Sequence, residues 1–334
     1  MNHVIIGAGP AGVVAAETLK KLDPESNVTL IGNEPEPPYS RMAIPYLLIE
    51  NIDEAGTYLR KQENHYPGKG IDVVVGSVSS VDATAKQVVL ENGDHYSYDK
   101  LLVASGSRPI SLPVPGIDHP KVTSCWTLAD ARKIAAGMQP GASVVLIGAG
   151  FIGCIILEAL VASGANLAVI EMGNRMVPRM LDETCGTLLE RWCREKGVNV
   201  MTSSQVEAIE SAGDNVRVKV SGGREVEAEL VISAAGVRPN GDFLEGSGVE
   251  LAGGAVVIDE YMQSSVADIY AAGDVASGKD FSTGALSVQA IQPTAVDHAR
   301  IAASNMVNHG AVKHQGAVAM NVLDTMGLSS ASYG

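Results

Sequence analysis

The sequence is poor in aromatic residues and in basic charge. Among its 334 residues only 4 % are aromatic, and 24 lysines and arginines stand against 38 aspartates and glutamates, a net charge of −14. Contacts with phosphates and anionic lipids need clustered cations, so we expect neither nucleic acid nor a membrane as a partner. No apolar run approaches the roughly 18 residues of a membrane-spanning helix. Because an apolar strand begins already at His3, we expect no signal peptide.

Paired cysteines are missing as well. The four cysteines are Cys125, Cys154, Cys185 and Cys193, and no two of them have Cys-x-x-Cys spacing. That spacing is typical of zinc sites and dithiol redox centres, so we expect no metal site. Unpaired cysteines in a chain of this size are typical of a reducing compartment, and we therefore expect a cytoplasmic protein.

Glycine is abundant, and one structural module occurs twice. Glycine accounts for 36 residues, which suits tight turns and close backbone approaches. A strand–helix–strand pattern spans His3–Ile31 and again Ser143–Ile170. Each copy is followed by a meander of short alternating strands, the first of them Val73–Val75, and then by an apolar strand that ends in small residues, Leu101–Gly106 and Leu230–Gly236. This duplication predicts an α/β fold with two doubly wound parallel sheets.

Each copy carries a glycine-rich loop between its first strand and its helix. The loops read G-A-G-P-A-G over Gly7–Gly12 and G-A-G-F-I-G over Gly148–Gly153. The first glycine of such a loop makes a tight turn, the second lets a pyrophosphate approach the backbone, and the third lets helix and strand pack closely. The helix N-terminus adds N–H donors and a partial positive charge. One match is weakly informative, whereas two matches in equivalent positions predict two dinucleotide sites.

An acidic residue is expected after the second strand of each copy, where it binds a ribose 2′-hydroxyl. Glu171 stands at that position in the second copy. A carboxylate there repels a 2′-phosphate, so the sequence predicts a preference for NAD over NADP. In the first copy the position is occupied by Gly32, and Glu34 follows two residues later. The sequence leaves open whether Glu34 binds a ribose or is a solvated loop carboxylate.

Three further motifs carry a resemblance to a known family. They are Asp268–Val275 with its Gly-Asp pair, the strand-to-loop segment Tyr98–Gly106, and the similar segment Ala234–Asn240. Together with the two glycine loops, they resemble the flavoproteins with two dinucleotide-binding domains, the family of the pyridine nucleotide–disulfide oxidoreductases. The resemblance spans nearly the whole chain. In that family the first loop binds FAD, the Gly-Asp pair binds its ribitol, and the second loop binds a nicotinamide nucleotide.

The resemblance implies two Rossmann-like domains, with the FAD domain over residues 1–118 and 241–315 and the NAD domain inserted at residues 119–240. It implies that residues 316–334 begin a C-terminal α+β interface domain, and we expect the chain to be truncated there. For FAD it implies contacts with Gly7, Gly9, Pro10, Ala11, Gly12, Glu34, Arg41, Ala104, Ser105, Gly106, Gly273, Asp274, Pro293 and Thr294. For NAD(H) it implies contacts with Gly148, Gly150, Phe151, Ile152, Gly153, Glu171 and Gly236.

The sequence departs from this family at positions that define its redox chemistry. Disulfide reductases have a Cys-x4-Cys pair and single-cysteine members have Cys-Gly-Leu-Pro-Tyr, whereas Met42 stands at the cysteine position here. A thioether cannot act as a thiolate nucleophile, so disulfide and peroxide chemistry are disfavoured. The segment Pro37–Arg41 instead resembles the ferredoxin, rubredoxin and nitrite reductase branch. Many members of that branch pair a lysine and a glutamate beside the flavin, where this chain has Tyr46 and Ile155, which leaves the flavin pocket more apolar.

The resemblance implies an FAD-dependent NADH:acceptor oxidoreductase. A hydride would pass from NADH to flavin N5, and electrons would continue to an iron–sulfur protein or a partner subunit. Phe151 is either a gate over the nicotinamide or a packing residue. Two alternatives stay open: an NADH oxidase or disulfide reductase, and a non-catalytic FAD-binding or assembly subunit. A homodimer through the C-terminal domain is a further expectation.

The acidic net charge bears on the acceptor. Free ferredoxins and rubredoxins are usually acidic too, so long-range electrostatics would oppose their encounter with this chain. A local basic patch would be needed, and the candidates are Arg132–Lys133 and the cluster of Arg191, Arg194 and Lys196. Otherwise the acceptor is a permanent subunit bound by apolar contacts, which is the interpretation that we favour.

Overall fold

The structure, a computed structural model, describes residues 1–333, and it has the predicted α/β architecture built on two parallel sheets. The strands of the first sheet are β1 (Asn2–Ile6), β2 (Asn27–Gly32), β3 (Ile71–Val75), β7 (Lys100–Val103) and β20 (Ile269–Ala271). They are arranged in the order β20-β7-β1-β2-β3 and all run parallel. We call the part of the chain built on this sheet the first module.

The second module is built on an equivalent sheet. Its strands are β9 (Val122–Ser124), β10 (Ser143–Ile147), β11 (Asn166–Ile170), β12 (Asn199–Met201) and β16 (Leu230–Ser233). They are arranged in the order β12-β11-β10-β16-β9, again all parallel. The central strands β1 and β10 both lead directly into a glycine loop. Ligands of open parallel sheets bind at this carboxyl edge.

One predicted strand belongs to a different sheet than expected. We expected Val73–Val75 to begin the meander of the first copy, and this was wrong, because β3 pairs in parallel with β2 through Leu30↔Val73 and Ile31↔Val74. As an edge strand of the sheet, β3 keeps four of its five residues exposed or half-buried. A strand this open to solvent resembles a strand of an antiparallel sheet rather than a buried parallel strand.

Seven helices and five small sheets complete the fold described over residues 1–333. The helices are α1 (Pro10–Leu22), α2 (Ile44–Leu48), α3 (His65–Gly68), α4 (Leu128–Gly137), α5 (Phe151–Ala162), α6 (Glu183–Glu195) and α7 (Gln292–Val307). The meanders are β4 (Val78–Asp82), β5 (Gln87–Leu90) and β6 (His95–Ser97) in the first module, and β13 (Val206–Ala212), β14 (Asn215–Val220) and β15 (Arg224–Ala228) in the second. The remaining strands are β8 (Ser107–Pro109), β17 (Val237–Pro239), β18 (Leu251–Ala252), β19 (Ala255–Val257), β21 (Ala276–Lys279), β22 (Leu286–Val288), β23 (Met320–Thr325) and β24 (Leu328–Tyr333).

Two connections between the modules pair with each other. Strand β8 follows β7, strand β17 follows β16, and the two form a short antiparallel ladder with Arg108 opposite Arg238. The C-terminal strands β23 and β24 form a hairpin that lies on the second module. Leu323 is buried in that module's core, and the indole N–H of Trp192 donates to the carbonyl of Thr325 at 3.1 Å. Within residues 1–333, none of the helices combines the length and the apolar character that crossing a bilayer requires.

Candidate functional site

A cavity of about 390 Å³ opens where the two modules meet. It lies at the carboxyl ends of β1, β7 and β20, and the first turns of α5 close it from the second module. The predicted residues in its wall are Gly7, Gly9, Pro10, Ala11, Glu34, Arg41, Ala104, Ser105, Gly106, Gly273 and Asp274 for FAD, and Phe151 and Ile152 for NAD(H). The other predicted residues are not part of this wall: Gly12, Pro293, Thr294, Gly148, Gly150, Gly153, Glu171 and Gly236.

The glycines of the first loop have three distinct surroundings. Gly7 has a φ of +114°, and a Cβ there would lie 2.1 Å from the carbonyl oxygen of Ala104. A Cβ at Gly12 would lie 1.9 Å from the carbonyl oxygen of Gly7, so only glycine permits this approach of helix and loop. A Cβ at Gly9, in contrast, would point into open space. Gly9 is thus free for an approaching ligand, while the other two glycines serve the fold.

The second loop repeats this arrangement. Gly148 has a φ of +96°, and a Cβ there would lie 2.6 Å from the carbonyl oxygen of Ala234. A Cβ at Gly153 would lie 2.3 Å from the carbonyl oxygen of Gly148, whereas a Cβ at Gly150 would point into open space. Among the described residues, no side chain caps the N-terminus of α1 or of α5. Both helices therefore offer unpaired N–H groups and a positive helix end to an anionic ligand.

Asp274 adds a carboxylate to the cavity directly after β20. The hydroxyl of Ser107 donates to its Oδ2 at 2.8 Å. Burial raises the pKa of Asp274, and the hydrogen bond from Ser107 and the charge of Arg41 act in the opposite direction. Gly273 has a φ of +78° beside Ala11 and Ala295, which lets the backbone turn so that the aspartate faces the cavity. A half-buried carboxylate with spare acceptor capacity is suited to bind the hydroxyl groups of a ligand.

Glu34 lies on the cavity wall, held by two neighbours. The hydroxyl of Tyr39 donates to Oε2 of Glu34 at 2.6 Å, and Nη2 of Arg41 donates to Oε1 at 2.8 Å. The guanidinium of Arg41 also lies 5.3 Å from the ring centre of Trp126. The structure thus places the side chain in an ordered network at the cavity, rather than free in solvent, with further lone pairs available.

Glu171 is buried next to the second loop. Its Oε2 accepts the backbone N–H of Ala149 at 2.7 Å, and its Oε1 accepts that of Gly173 at 2.6 Å. Only 8 % of the residue is exposed. The carboxylate is therefore fixed beside the loop by main-chain donors, at the end of β11 where the sequence predicted it.

The side of the cavity formed by α5 and the start of α2 is apolar. It comprises Met42, Ile44, Pro45, Phe151, Ile152, Ile155 and Ile156. Met42 and Ile155 thus face the cavity from the positions at which relatives carry a cysteine and a glutamate. Tyr46 instead lies outside the wall and is 56 % exposed. These apolar side chains shape the cavity and exclude water from it, and they offer no acid–base groups.

Sequence reasoning missed many residues of the wall, among them Cys125, Trp126, Gln292 and Asn321. Gln292 begins α7, and its Oε1 accepts the hydroxyl of Ser40 at 2.7 Å. Asn321 comes from β23, so the C-terminal hairpin contributes to the cavity. Burial raises the pKa of Cys125 to about 12, which keeps this thiol protonated and unreactive. A signal existed for Gln292, which stands next to the predicted Pro293 at the beginning of α7.

The arrangement fits a bound dinucleotide. An open glycine and a free helix N-terminus suit the pyrophosphate, and the carboxylates of Glu34 and Asp274 in the cavity wall suit hydroxyl groups. The apolar side suits a flat ring system. In the described chain, His, Cys, Asp and Glu side chains form no cluster of three that could hold a metal ion.

Comparisons with known proteins agree with this site. The profile of the pyridine nucleotide-disulphide oxidoreductase family matches residues 1–303. The epsilon subunit of NADH-dependent phenylglyoxylate dehydrogenase from Aromatoleum evansii is 29 % identical over 100 % of this chain and 79 % of its own length. A NAD-dependent persulfide reductase from A. fulgidus has a TM-score of 0.94 and 32 % identity over 100 % of this chain, which spans only 64 % of that protein.

A second solved structure is that of the covalent complex between putidaredoxin reductase and putidaredoxin. It has a TM-score of 0.93 and 27 % identity over 100 % of this chain and 81 % of the matched chain. The family match covers the two glycine loops, both acidic residues and the Gly-Asp pair. The chain therefore belongs to the pyridine nucleotide-disulphide oxidoreductase family, and it is an oxidoreductase that binds FAD and NAD(H).

Proposed function

We propose that this protein is an NADH:acceptor oxidoreductase that passes electrons from its flavin directly to an iron–sulfur protein or an iron–sulfur partner subunit. The observation that carries the proposal is Met42, which lines the cavity at the position of the redox cysteine of thiol-dependent relatives. A thioether forms no thiolate and no mixed disulfide. Of the relatives, one is named as a subunit of an NADH-dependent dehydrogenase and another was solved in complex with putidaredoxin, which supports the proposal.

The residues of the first module would hold FAD. We assign Gly9 and the N-terminus of α1 to the pyrophosphate, Glu34 to the adenosine ribose, and Asp274 to the ribitol hydroxyls. Bound FAD supplies the chemistry that joins a two-electron hydride donor to a one-electron acceptor. The N-terminus of α7, at Gln292, places a positive helix end at the cavity and would stabilise negative charge there.

The residues of the second module would hold NADH. We assign Gly150 to its pyrophosphate and Glu171 to its ribose, which makes NADH the preferred nucleotide. Phe151 stands between the second loop and the shared cavity, where it would cover or release the nicotinamide. These assignments divide the chain as the sequence did: residues 1–118 and 241–315 for FAD, residues 119–240 for NAD(H), and residues 316–334 as the beginning of an interface domain. They place positioning, rather than side-chain acid–base chemistry, at the centre of catalysis.

The acceptor would bind by apolar contacts rather than by a basic patch. Arg132 is paired with Glu36 and with both oxygens of Glu54, at 2.7 to 2.9 Å. In the other candidate patch, Arg194 pairs with Glu190 at 2.9 Å. Carboxylates thus neutralise Arg132 and Arg194, one arginine in each patch, and the chain remains acidic. We therefore favour a permanent subunit as the acceptor.

Two finer features belong to this proposal. The four cysteines are free thiols, which supports a reducing compartment such as the cytoplasm. The hairpin of β23 and β24 presents exposed Val322 and Tyr333, which is compatible with a homodimer formed through this region.

The test is anaerobic reduction of a one-electron dye by NADH, before and after alkylation of all accessible cysteines. We expect the rate to be unchanged by alkylation. Loss of dye reduction would indicate a thiol mechanism, as in a disulfide or persulfide reductase, and FAD-loaded protein that NADH cannot reduce would indicate a non-catalytic subunit. The same assay with a small ferredoxin over a salt series tests the acceptor. Fast reduction that falls steeply with salt would contradict the fixed subunit.

A further inference from the structure

Tyr39 carries a buried hydroxyl that joins the two modules. It belongs to the segment between β2 and α2, yet its ring packs in the core of the second module and is 6 % exposed. The hydroxyl donates to Oε2 of Glu34 at 2.6 Å, accepts from Nη1 of Arg41 at 2.8 Å, and accepts the backbone N–H of Leu128 at 3.3 Å. Its one donor and two acceptor positions are therefore all in use.

Arg41 reinforces the same connection. Its Nη2 donates to Oε1 of Glu34 at 2.8 Å, and its Nη1 donates to the carbonyl of Trp126 at 3.0 Å. Trp126 and Leu128 flank Thr127, the capping residue of α4. Each oxygen of the Glu34 carboxylate is thus held by a side chain that is itself attached to the beginning of α4. The carboxylate on the FAD side of the cavity depends on a helix of the other module.

The direction of the Tyr39 hydrogen bond is determined by its surroundings. Burial raises the pKa of the phenol far above its ordinary value, so the hydroxyl keeps its proton. Arg41 and the N–H of Leu128 can only donate, which leaves Glu34 as the acceptor for that proton. The carboxylate consequently has one defined orientation as long as α4 stays in place.

We propose that Tyr39 is a positioning residue that orients Glu34 toward the adenosine ribose of FAD and links FAD binding to the docking of helix α4. The inference rests on the proposed function, because it takes Glu34 to face the ribose. Linkage is reciprocal: FAD should order residues 126–128, and a loosened α4 should weaken FAD. No part of the assigned nicotinamide site is needed for this effect.

The matched variants are Tyr39→Phe and Tyr98→Phe. Both remove a buried phenolic hydroxyl, but within the described residues the hydroxyl of Tyr98 has no hydrogen-bond partner. The probes are FAD and its 2′-deoxyadenosine analogue, titrated into apoprotein by flavin fluorescence. We expect wild type and Tyr98→Phe to bind FAD at least tenfold more tightly than the analogue. We expect Tyr39→Phe to bind FAD at least tenfold more weakly and to lose most of this discrimination.

A second measurement follows the other end of the link. Hydrogen–deuterium exchange of residues 126–128 should slow on FAD binding in wild type and in Tyr98→Phe, and should stay fast in Tyr39→Phe. If Tyr39→Phe does not fold, Glu34→Gln can replace it, because this substitution alters the other partner of the hydrogen bond between Tyr39 and Glu34. It should lose the same discrimination and the same FAD-dependent protection.

The outcomes separate the inference from the function on which it rests. Equal weakening of FAD and of the deoxy analogue in Tyr39→Phe would show a general packing role and would overturn the inference. So would exchange at residues 126–128 that FAD does not change in wild type. Failure of the wild-type protein to bind FAD at all would instead refute the proposed function.

Discussion

The two glycine loops have nearly the same backbone but different relations to the cavity. In the first loop, Gly7 and Gly9 lie in the wall of the cavity. In the second, the glycines lie outside that wall, and the helix behind the loop contributes Phe151 and Ile152 instead. The difference arises because the cavity lies at the carboxyl edge of the first sheet, and the second module reaches it through the first turns of α5. The same turn therefore faces the cavity in one module, whereas in the other module the helix that follows the turn closes the cavity.

The acidic residues differ in the same way. At Gly32, a Cβ would lie 2.8 Å from Cβ of Ala8, so the first module has no room for a side chain at the position that Glu171 occupies in the second. Its acid comes two residues later, at Glu34, and is held by the side chains of Tyr39 and Arg41, which are themselves hydrogen-bonded to the beginning of α4 in the second module. Glu171 is held by backbone N–H groups of its own module. The first acid should consequently respond to distant substitutions, and the second should not.

The largest expected effect comes from the third glycines. Gly12→Ala would place a Cβ 1.9 Å from a carbonyl oxygen, and Gly153→Ala would place one at 2.3 Å. Such overpacking against backbone should lower the free energy of unfolding by about 3 kcal/mol or more. Hydrogen–deuterium exchange should locate the loosening in β1 and β2 for the first variant and in β10 and β11 for the second. The control is Gly68→Ala, because a Cβ at Gly68 would meet open space. Equal loosening of both sheets by one substitution would contradict the prediction that the two modules respond independently.

The next effect concerns the stability of the two modules at low pH, which should differ. Burial lowers the pKa of His3 and of His298 to about 4, and both belong to the first module. Between pH 6.5 and 4 the unfolded chain binds more protons than the folded one, so the free energy of unfolding falls as the pH falls through this range and is constant above it. At about 1.4 kcal/mol per pKa unit, the loss is of order 3 kcal/mol for each histidine.

Urea unfolding from pH 7.5 to 4.5 measures this loss. The variant His298→Leu should flatten the dependence, whereas His95→Gln, at an exposed position, should leave it unchanged. A pH dependence that is the same in His298→Leu and in wild type would contradict the assignment. Exchange measurements should show that the first sheet loosens before the second in acid.

Smaller effects are expected at the second glycines. Gly9 and Gly150 have φ values of −80° and −75° and open space around a Cβ, so alanine should be tolerated by the fold. The added methyl would occupy the space through which a pyrophosphate approaches. We expect Gly9→Ala to weaken FAD binding at least tenfold, and Gly150→Ala to raise the KM for NADH at least tenfold with FAD binding unchanged. Loss of FAD in both variants would contradict the prediction that FAD and NADH bind at separate loops.

The sequence predicted those features that are encoded locally. The glycine loops and Glu171 lie within a few residues of the strands that position them, so spacing was sufficient, whereas the role of the Gly-Asp pair was implied by the family resemblance. The edge strand β3 was assigned to the wrong sheet, because the hydrophobic pattern of a strand does not show which other strand it pairs with. Trp126 and Asn321 were missed because nothing near them in sequence indicates the cavity. Arg41 and Trp126 are 85 residues apart, and only the folded chain brings them together.

The smallest effect in the comparison concerns nucleotide preference. Because Glu171 is fixed by the N–H groups of Ala149 and Gly173, its charge should remain next to the ribose and should repel the 2′-phosphate of NADPH. We expect kcat/KM to favour NADH by about tenfold or more, a difference of about 1.4 kcal/mol, and Glu171→Ala to remove most of this preference. Glu158→Gln, on the exposed side of α5, is the control. Since Glu171 is separate from the network of Tyr39, the variant should bind FAD as the wild type does, and a parallel loss of FAD would show that the two acids are not independent.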